Sequence, residues 1–248
     1  MKMSGMMRRV FLGALFVLFG QGPALFAAER VPERLVYDLS WMGIPVGTAT
    51  QEITEQGEMR RITSLARSNS WLSTFYPVED RTESTLAKRG DFFPGESRSF
   101  RMVFKEGRQT RDREITFEPA GKAASYHDRI TGEKVEVPVA EHTLDICASF
   151  FYVRHLGLEV GKSVVVHVLD AKQPRSLEVK VLKKEQVKTP VGEFSTIVIR
   201  PLVFPEGVFE GKEGTTIWLT DDERRVPVKV QTRVRVGSVT AVLAGGMH

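Results

Sequence analysis

The chain has 248 residues, 42% hydrophobic and 27% charged, with 35 Lys+Arg, 31 Asp+Glu and one cysteine. That composition excludes a disordered chain, and the lone thiol excludes an internal disulfide framework. Three of the bases, Lys2, Arg8 and Arg9, stand in the first nine positions; without them 32 bases face 31 acids, so the formal charge of +4 is no signature of nucleic-acid binding.

Residues 1–28 read as a secretory signal peptide. A short basic segment, Met1 to Arg9, precedes an apolar run from Val10 to Phe19. Gly20, Gln21, Gly22 and Pro23 break the run, and Ala27 and Ala28 supply small residues at the expected cleavage site. The run is too short for a stable bilayer anchor. No cysteine follows at the new N-terminus, so the expected product, residues 29–248, is a single β-rich domain, periplasmic, soluble and without a lipid anchor.

Period-two alternation dominates the remainder of the chain. Leu35, Tyr37, Leu39 and Trp41 alternate with Arg34, Val36, Asp38 and Ser40. Phe100, Met102 and Phe104 do the same, as do Val226, Val228, Val230, Thr232, Val234 and Val236. Such runs are half-buried strands with one face on a core and one in water. Val164 to Leu169 is apolar on both sides except at His167, which predicts a strand covered on both faces. Met42-Gly43-Ile44-Pro45, Glu106-Gly107, Ala120-Gly121, Thr131-Gly132 and Gly192 mark bends, and Asp170 to Arg175 reads as a hairpin loop. About a dozen strands on short turns predict an antiparallel meander. A sheet of that length curls, so the expected fold is all-β: a curled antiparallel sheet, an open or half β-barrel. One short helix is expected at Asp145 to His155, with Asp145 as N-cap and Leu144, Ala148, Phe151 and His155 on one side. Asn69 to Phe75 is a helical turn or a loop.

No catalytic constellation or cofactor signature stands out. The histidines have no zinc-ligand spacing, and His142, Asp145 and Cys147 on a loop-to-helix junction make a weak ligand set. Cys147 has no base at helical spacing beside it and reads as a small core residue. Asp221-Asp222-Glu223, followed by Arg224 and Arg225, reads as a solvated turn.

Two features suggest binding. Arg98, Arg101, Lys105, Arg108, Arg111 and Arg113 lie across one hairpin, with Arg101, Arg111 and Arg113 forming a candidate patch for anionic envelope groups. Its density depends on register: a three-residue loop sets Arg101 opposite Arg113, and a two-residue turn at Glu106-Gly107 sets it opposite Asp112. The aromatics are the second feature. Most are expected in the core, while Trp41, Phe100 and Trp218 are candidates to line an apolar ligand cavity.

Several segments together resemble a known family. They are Tyr37 with Trp41-Met42-Gly43-Ile44-Pro45-Val46-Gly47, Phe75-Tyr76-Pro77-Val78-Glu79-Asp80, Asp145 through Phe150-Phe151-Tyr152-Val153-Arg154, Thr189-Pro190-Val191-Gly192-Glu193-Phe194, and Ile217-Trp218-Leu219-Thr220-Asp221-Asp222 through Arg225-Val226-Pro227-Val228. Their order and spacing resemble the exported bacterial family known as domain of unknown function 3108. The resemblance implies a periplasmic, β-rich protein and supplies no catalytic residue.

The sequence thus leads to a non-catalytic binding or carrier module for an apolar or amphiphilic envelope molecule, such as a lipid. The alternatives are a structural protein docking on an envelope protein, and an enzyme on envelope polymers. The enzyme needs a cleft joining polar groups such as Asp80, His127 and Asp222. Nucleic acid is not an expected partner, and no membrane span is expected once the signal is removed.

Overall fold

The computed structural model describes residues 32–88, 92–119, 122–202, 214–234 and 236–246. The expected signal peptide and the Ala120-Gly121 bend lie outside them. The described strands are β1 Glu33–Trp41, β2 Ile44–Gln56, β3 Met59–Ser68, β4 Val78–Ala87, β5 Glu96–Glu106, β6 Gln109–Phe117 and β7 Ala123–Asp128. They continue as β8 Lys134–Pro138, β9 Ser163–Asp170, β10 Gln173–Thr189, β11 Gly192–Pro201, β12 Thr215–Thr220, β13 Pro227–Arg233 and β14 Ser238–Gly246. Helix α1 is the single turn Ser70–Ser73, and α2 is Ile146–Val153.

All fourteen strands belong to one antiparallel sheet, ordered β8-β7-β6-β5-β4-β3-β2-β1-β14-β13-β12-β11-β10-β9. The meander therefore starts in mid-sheet, runs out to β8, crosses through α2 to the opposite edge at β9 and returns. The two edges approach each other without forming a ladder. Lys172, in the turn between β9 and β10, lies 2.9 Å from Glu133 beside β8 and over the Tyr126 ring. The β9 edge is covered by backbone: Leu144 N–H donates to His167 O at 3.0 Å, and Leu169 N–H donates to Leu144 O at 2.9 Å. A long sheet edge left bare is an aggregation template, and this bridge interrupts it at Val168.

Helix α2 occupies the interior. Its N-cap is Asp145, whose Oδ1 accepts from Ala148 N–H at 3.0 Å. Asp145 is also the lock on the sheet. Its Oδ2 accepts from Ser84 Oγ at 2.7 Å on β4 and from Ser97 Oγ at 3.0 Å on β5. Leu144, Ala148 and Phe151 are buried as the spacing predicts, against Ile53, Ile62, Leu86, Val166, Ile197 and Ile217. Each fully buried aliphatic here contributes roughly 1.5–3 kcal/mol. At the helix's other end Arg154 binds Glu33 on β1 through two 2.8 Å hydrogen bonds.

Two local expectations change. The β9–β10 hairpin turns on Ala171 and Lys172 alone, since Asp170 and Gln173 already pair. β9 is not covered on both faces, because Val165 is 57% exposed. The strands buried on both sides are β11 at Thr196–Ile199 and β12 at Ile217–Thr220, where α2 packs on one side and β10 and β13 residues on the other.

Candidate functional site

The interior differs between its two ends. Register assigns the inward residues in rows across neighbouring strands, because directly opposed residues share a face. One row runs Ile53, Ile62, Ser84, Phe100, Ile115, Tyr126 from β2 to β7. It lies at the level of α2, and all six are buried. Two rows toward the other end, the sequence is Leu243, Tyr37, Ala49, Ala66, Asp80, Phe104, Arg111 from β14 through β1 to β6. Here Ala49 and Ala66 are only partly buried although they face inward. One row further, Ala241, Leu39, Gly47 and Ser68 are partly buried as well. The helix fills one end, while at the other the inward side chains are small and only partly buried.

That second end has an apolar rim built from three turns. Trp41, Met42 and Ile44 belong to the β1–β2 turn, Trp71, Phe75 and Tyr76 to the α1 segment, and Val236 to the β13–β14 turn. All seven are exposed, Phe75 at 81%. Hydrogen bonds hold the turns together. Trp41 Nε1 donates to Val236 O at 2.8 Å, Trp71 Nε1 to Pro45 O at 2.9 Å and Asn69 Nδ2 to the same Pro45 O at 2.9 Å. Asn69 Oδ1 also caps α1 by accepting from Leu72 N–H at 3.2 Å.

Beneath the rim lies a polar group on β4 to β6. Asp80 is buried; its Oδ1 accepts from Lys105 N–H at 3.2 Å, while Oδ2 has no hydrogen-bond partner. Burial, reinforced by the nearby Glu106 charge, pushes its carboxyl up to about 7. Burial likewise raises the Tyr76 phenol. Arg111 stands on the same inner row as Asp80, one strand beyond Phe104.

The candidate anion patch does not form. The β5–β6 turn is Gly107-Arg108, so Glu106 pairs with Gln109 and Arg101 with Glu114. Neither expected register occurs. In this one Arg111 and Arg113 face inward, opposite Phe104 and Met102, while Arg101 faces outward. There Asp112 neutralises it through bonds of 3.1 and 3.0 Å. Arg113 lies 3.6 Å from Asp128. One residue of register decides the face, and it splits these three arginines.

The three candidate cavity aromatics are not brought together either. Trp41 is on the rim, 38% exposed. Phe100 is buried at the packed level, beside Ile115 and Tyr126. Trp218 packs with Val187, Val198 and Val228 in a different cluster, its Nε1 donating to Glu185 Oε1 at 2.5 Å and Lys229 lying over its ring. Shared alternation placed all three on strands, but they differ in depth and in cluster. Most described aromatics are in or against the core, as expected, and Trp71, Phe75 and Tyr76 are exposed exceptions.

The polar groups considered for chemistry are dispersed. His127 pairs with Glu114 on the outer face, away from Asp80. Asp222 accepts from Thr220 Oγ1 and from the Arg224 and Arg225 N–H groups, closing a turn. Cys147 donates to Thr82 Oγ1 at 3.3 Å, and burial pushes its thiol up to about 12, far from a reactive thiolate. His142 stacks on Phe92, apart from Asp145 and Cys147. Among the described residues no group of three or more His, Cys, Asp or Glu side chains is placed to hold a metal ion, and no helix is long and apolar enough to cross a membrane.

The open end and its row of small inward residues are not among the expectations from sequence. Gly47, Ala49 on β2 and Ser64, Ala66, Ser68 on β3 alternate as small residues on two paired strands, and that alternation is the signal the chain offers for them.

A family profile described as Protein of unknown function (DUF3108) matches residues 36–244. The chain belongs to this family. The match covers the sheet from β1 nearly to the end of β14. No curated protein matches the sequence. Among solved structures, the chain is similar to a beta-barrel-like protein of domain of unknown function DUF1849 from Brucella abortus. The identity is 13%, the TM-score is 0.55, and the match covers 87% of this chain and 97% of that one. The similarity is one of fold.

Proposed function

We propose that this member of the family is a non-catalytic binding or carrier module of the bacterial envelope, exported to the periplasm, for an apolar or amphiphilic molecule. The observation behind this reading is the asymmetry of the interior. Inward-facing Ala49 and Ala66 are incompletely buried beneath an apolar rim, while the opposite end is filled by α2. Ligand sites in curled sheets combine such apolar space with a few placed polar groups. Arg111, a base, and Asp80, a carboxyl raised by burial, stand on the same row, which suits an amphiphile's polar end. The Oδ2 oxygen of Asp80 is buried there without a hydrogen-bond partner.

The test is native mass spectrometry, with lipid extraction, on protein purified from periplasm. Retained lipid or another amphiphile is expected. Ala66→Phe, which fills the strip with an aromatic ring, is expected to abolish the adduct. A clean apo mass for the unaltered protein, or an adduct that survives Ala66→Phe, overturns the reading.

A further inference from the structure

The rim itself has properties that the interior does not require. We propose that it is a membrane-docking surface, and that the protein rests on an anionic bilayer with the β1–β2, α1 and β13–β14 turns in the interfacial layer. The inference concerns the outside of the rim and does not depend on what the mouth holds.

Three observations carry it. First, the apolar side chains are concentrated on one end: Trp41, Met42, Ile44, Trp71, Phe75, Tyr76 and Val236 project from three turns that hydrogen bonds tie into one unit. Scattered exposed apolar residues need no explanation, but a contiguous group of this kind marks an interaction surface. Second, the rim is prepared for an apolar medium. Both exposed indole N–H groups already donate to the chain's own carbonyls, at Val236 and Pro45. Entry into lipid therefore strands neither indole donor, and the rings are fixed in advance. Third, the rim segments are poor in charge, their one charged residue in sequence being a base, Arg235 of the β13–β14 turn. Segments 41–46 and 69–78 contain no charged residue. Behind them stand exposed Arg67, Lys105, Arg108 and Arg233, against two exposed acids, Asp38 and Glu79, the latter paired to Arg67 at 3.2 Å. An aromatic rim without acidic residues and with a net basic collar complements anionic lipid, because aromatic residues favour the interface and bases are drawn to its surface potential. The opposite end is different: its turns carry Glu55, Glu58, Lys88, Glu118 and Lys122.

A protein partner or a second copy of the chain would also cover apolar surface. The bilayer fits better because the rim residues sit on three separate projecting turns with bases behind them, and not on a flat face or sheet edge.

The experiment is flotation of the purified chain with vesicles of phosphatidylethanolamine and phosphatidylglycerol, and with pure phosphatidylcholine as comparison. Quenching by brominated acyl chains gives the depth. Co-flotation with the anionic vesicles is expected, weakening with salt and on phosphatidylcholine. Quenching should reach Trp41 and Trp71 and spare Trp218. Phe75→Ser removes a side chain that is 81% exposed and leaves packing intact. It is expected to weaken binding about tenfold. Met42 has a left-handed backbone, φ 50°, before Gly43 at φ 84°. Asn is favoured at that place in a two-residue hairpin turn, so Met42→Asn keeps the fold and is also expected to weaken flotation. Absence of co-flotation, or flotation unchanged in both variants, overturns the proposal. So does a self-associating species in sedimentation that Phe75→Ser disperses while vesicles remain unbound, since the second copy is then the occupant.

Discussion

The Arg154 guanidinium grips the Glu33 carboxylate through two parallel hydrogen bonds, with both side chains buried. The pair joins the C-cap of α2 to the first strand across the interior, and a third bond from Arg154 reaches Arg224 O at 3.1 Å. Asp145 holds the other end of the helix to β4 and β5. The helix is thus fastened at both ends, and the closed end of the interior depends on those anchors.

Removing one partner of a buried pair leaves an uncompensated charge, which costs more than the pair contributes. Arg154→Met is expected to destabilise the protein by about 3–5 kcal/mol. Adding Glu33→Met is expected to recover part of that loss, because no buried charge then remains. Urea denaturation of the two variants checks it, and a double variant no better than the single contradicts it.

Gly47 stands where β2 passes close to β3. A Cβ at this position would lie 2.1 Å from the Arg67 carbonyl oxygen, a contact that only backbone movement relieves. Gly47→Ala is expected to cost roughly 1–3 kcal/mol. At Gly245 the nearest atom to an added Cβ is Val36 Cβ at 3.7 Å, an ordinary contact. Gly245→Ala should therefore change stability by less than about 0.5 kcal/mol. Thermal melts of the two variants compare them directly.

The range of each interaction decides whether the sequence reveals it. The meander, its curl and α2 are legible because alternation and an N-cap are local: Asp145 caps as its position before an apolar stretch implies. The Trp41-to-Gly47 turn is legible for the same reason, including the close approach at Gly47. The β5–β6 register is not, since one residue decides whether Arg101, Arg111 and Arg113 share a face. Nor is the exposure of Phe75 and Trp71, because burial depends on whether anything from elsewhere in the chain covers them. Asp80 is the clearest case. In the sequence it is one acid among Glu79, Asp80 and Glu83, and only the pairing Asp80–Phe104–Arg111 turns it inward.

Asp80 gives a pH dependence of definite sign. Its folded value of about 7 lies above the ordinary aspartate value of about 3.9, so between these the folded state holds a proton that the unfolded state has lost. Its contribution therefore falls as pH rises through that window and levels off above about 7. Asp80→Asn keeps an acceptor for Lys105 N–H and cannot ionise. The stability difference between Asp80→Asn and the parent protein should be small at pH 4 and should grow in favour of the variant up to pH 8. A constant difference across that range would show that Asp80 ionises in the folded protein as it does unfolded.

His155 supplies the opposite slope. Its ring lies 4.4 Å from Phe93 and 4.9 Å from Phe151, and its Nδ1 is 3.0 Å from Phe151 O. Burial lowers its value to about 4, and the neighbouring Arg154 and Arg60 charges act in the same direction against the hydrogen bond to Phe151 O. Unfolded, the imidazole takes up a proton near 6.5. Between about 6.5 and about 4 the unfolded state thus binds the extra proton, and stability falls as pH falls. The contribution is fully present above about 6.5. His155→Phe keeps an aromatic ring among Phe93 and Phe151 and abolishes the titration, so its stability should lose this acid-side slope while forfeiting the bond to Phe151 O at every pH. An NMR titration of the imidazole provides the direct check: a folded-state midpoint near 6.5 would mean the ring is solvated, and the packing of α2 against Phe93 would then be looser than described.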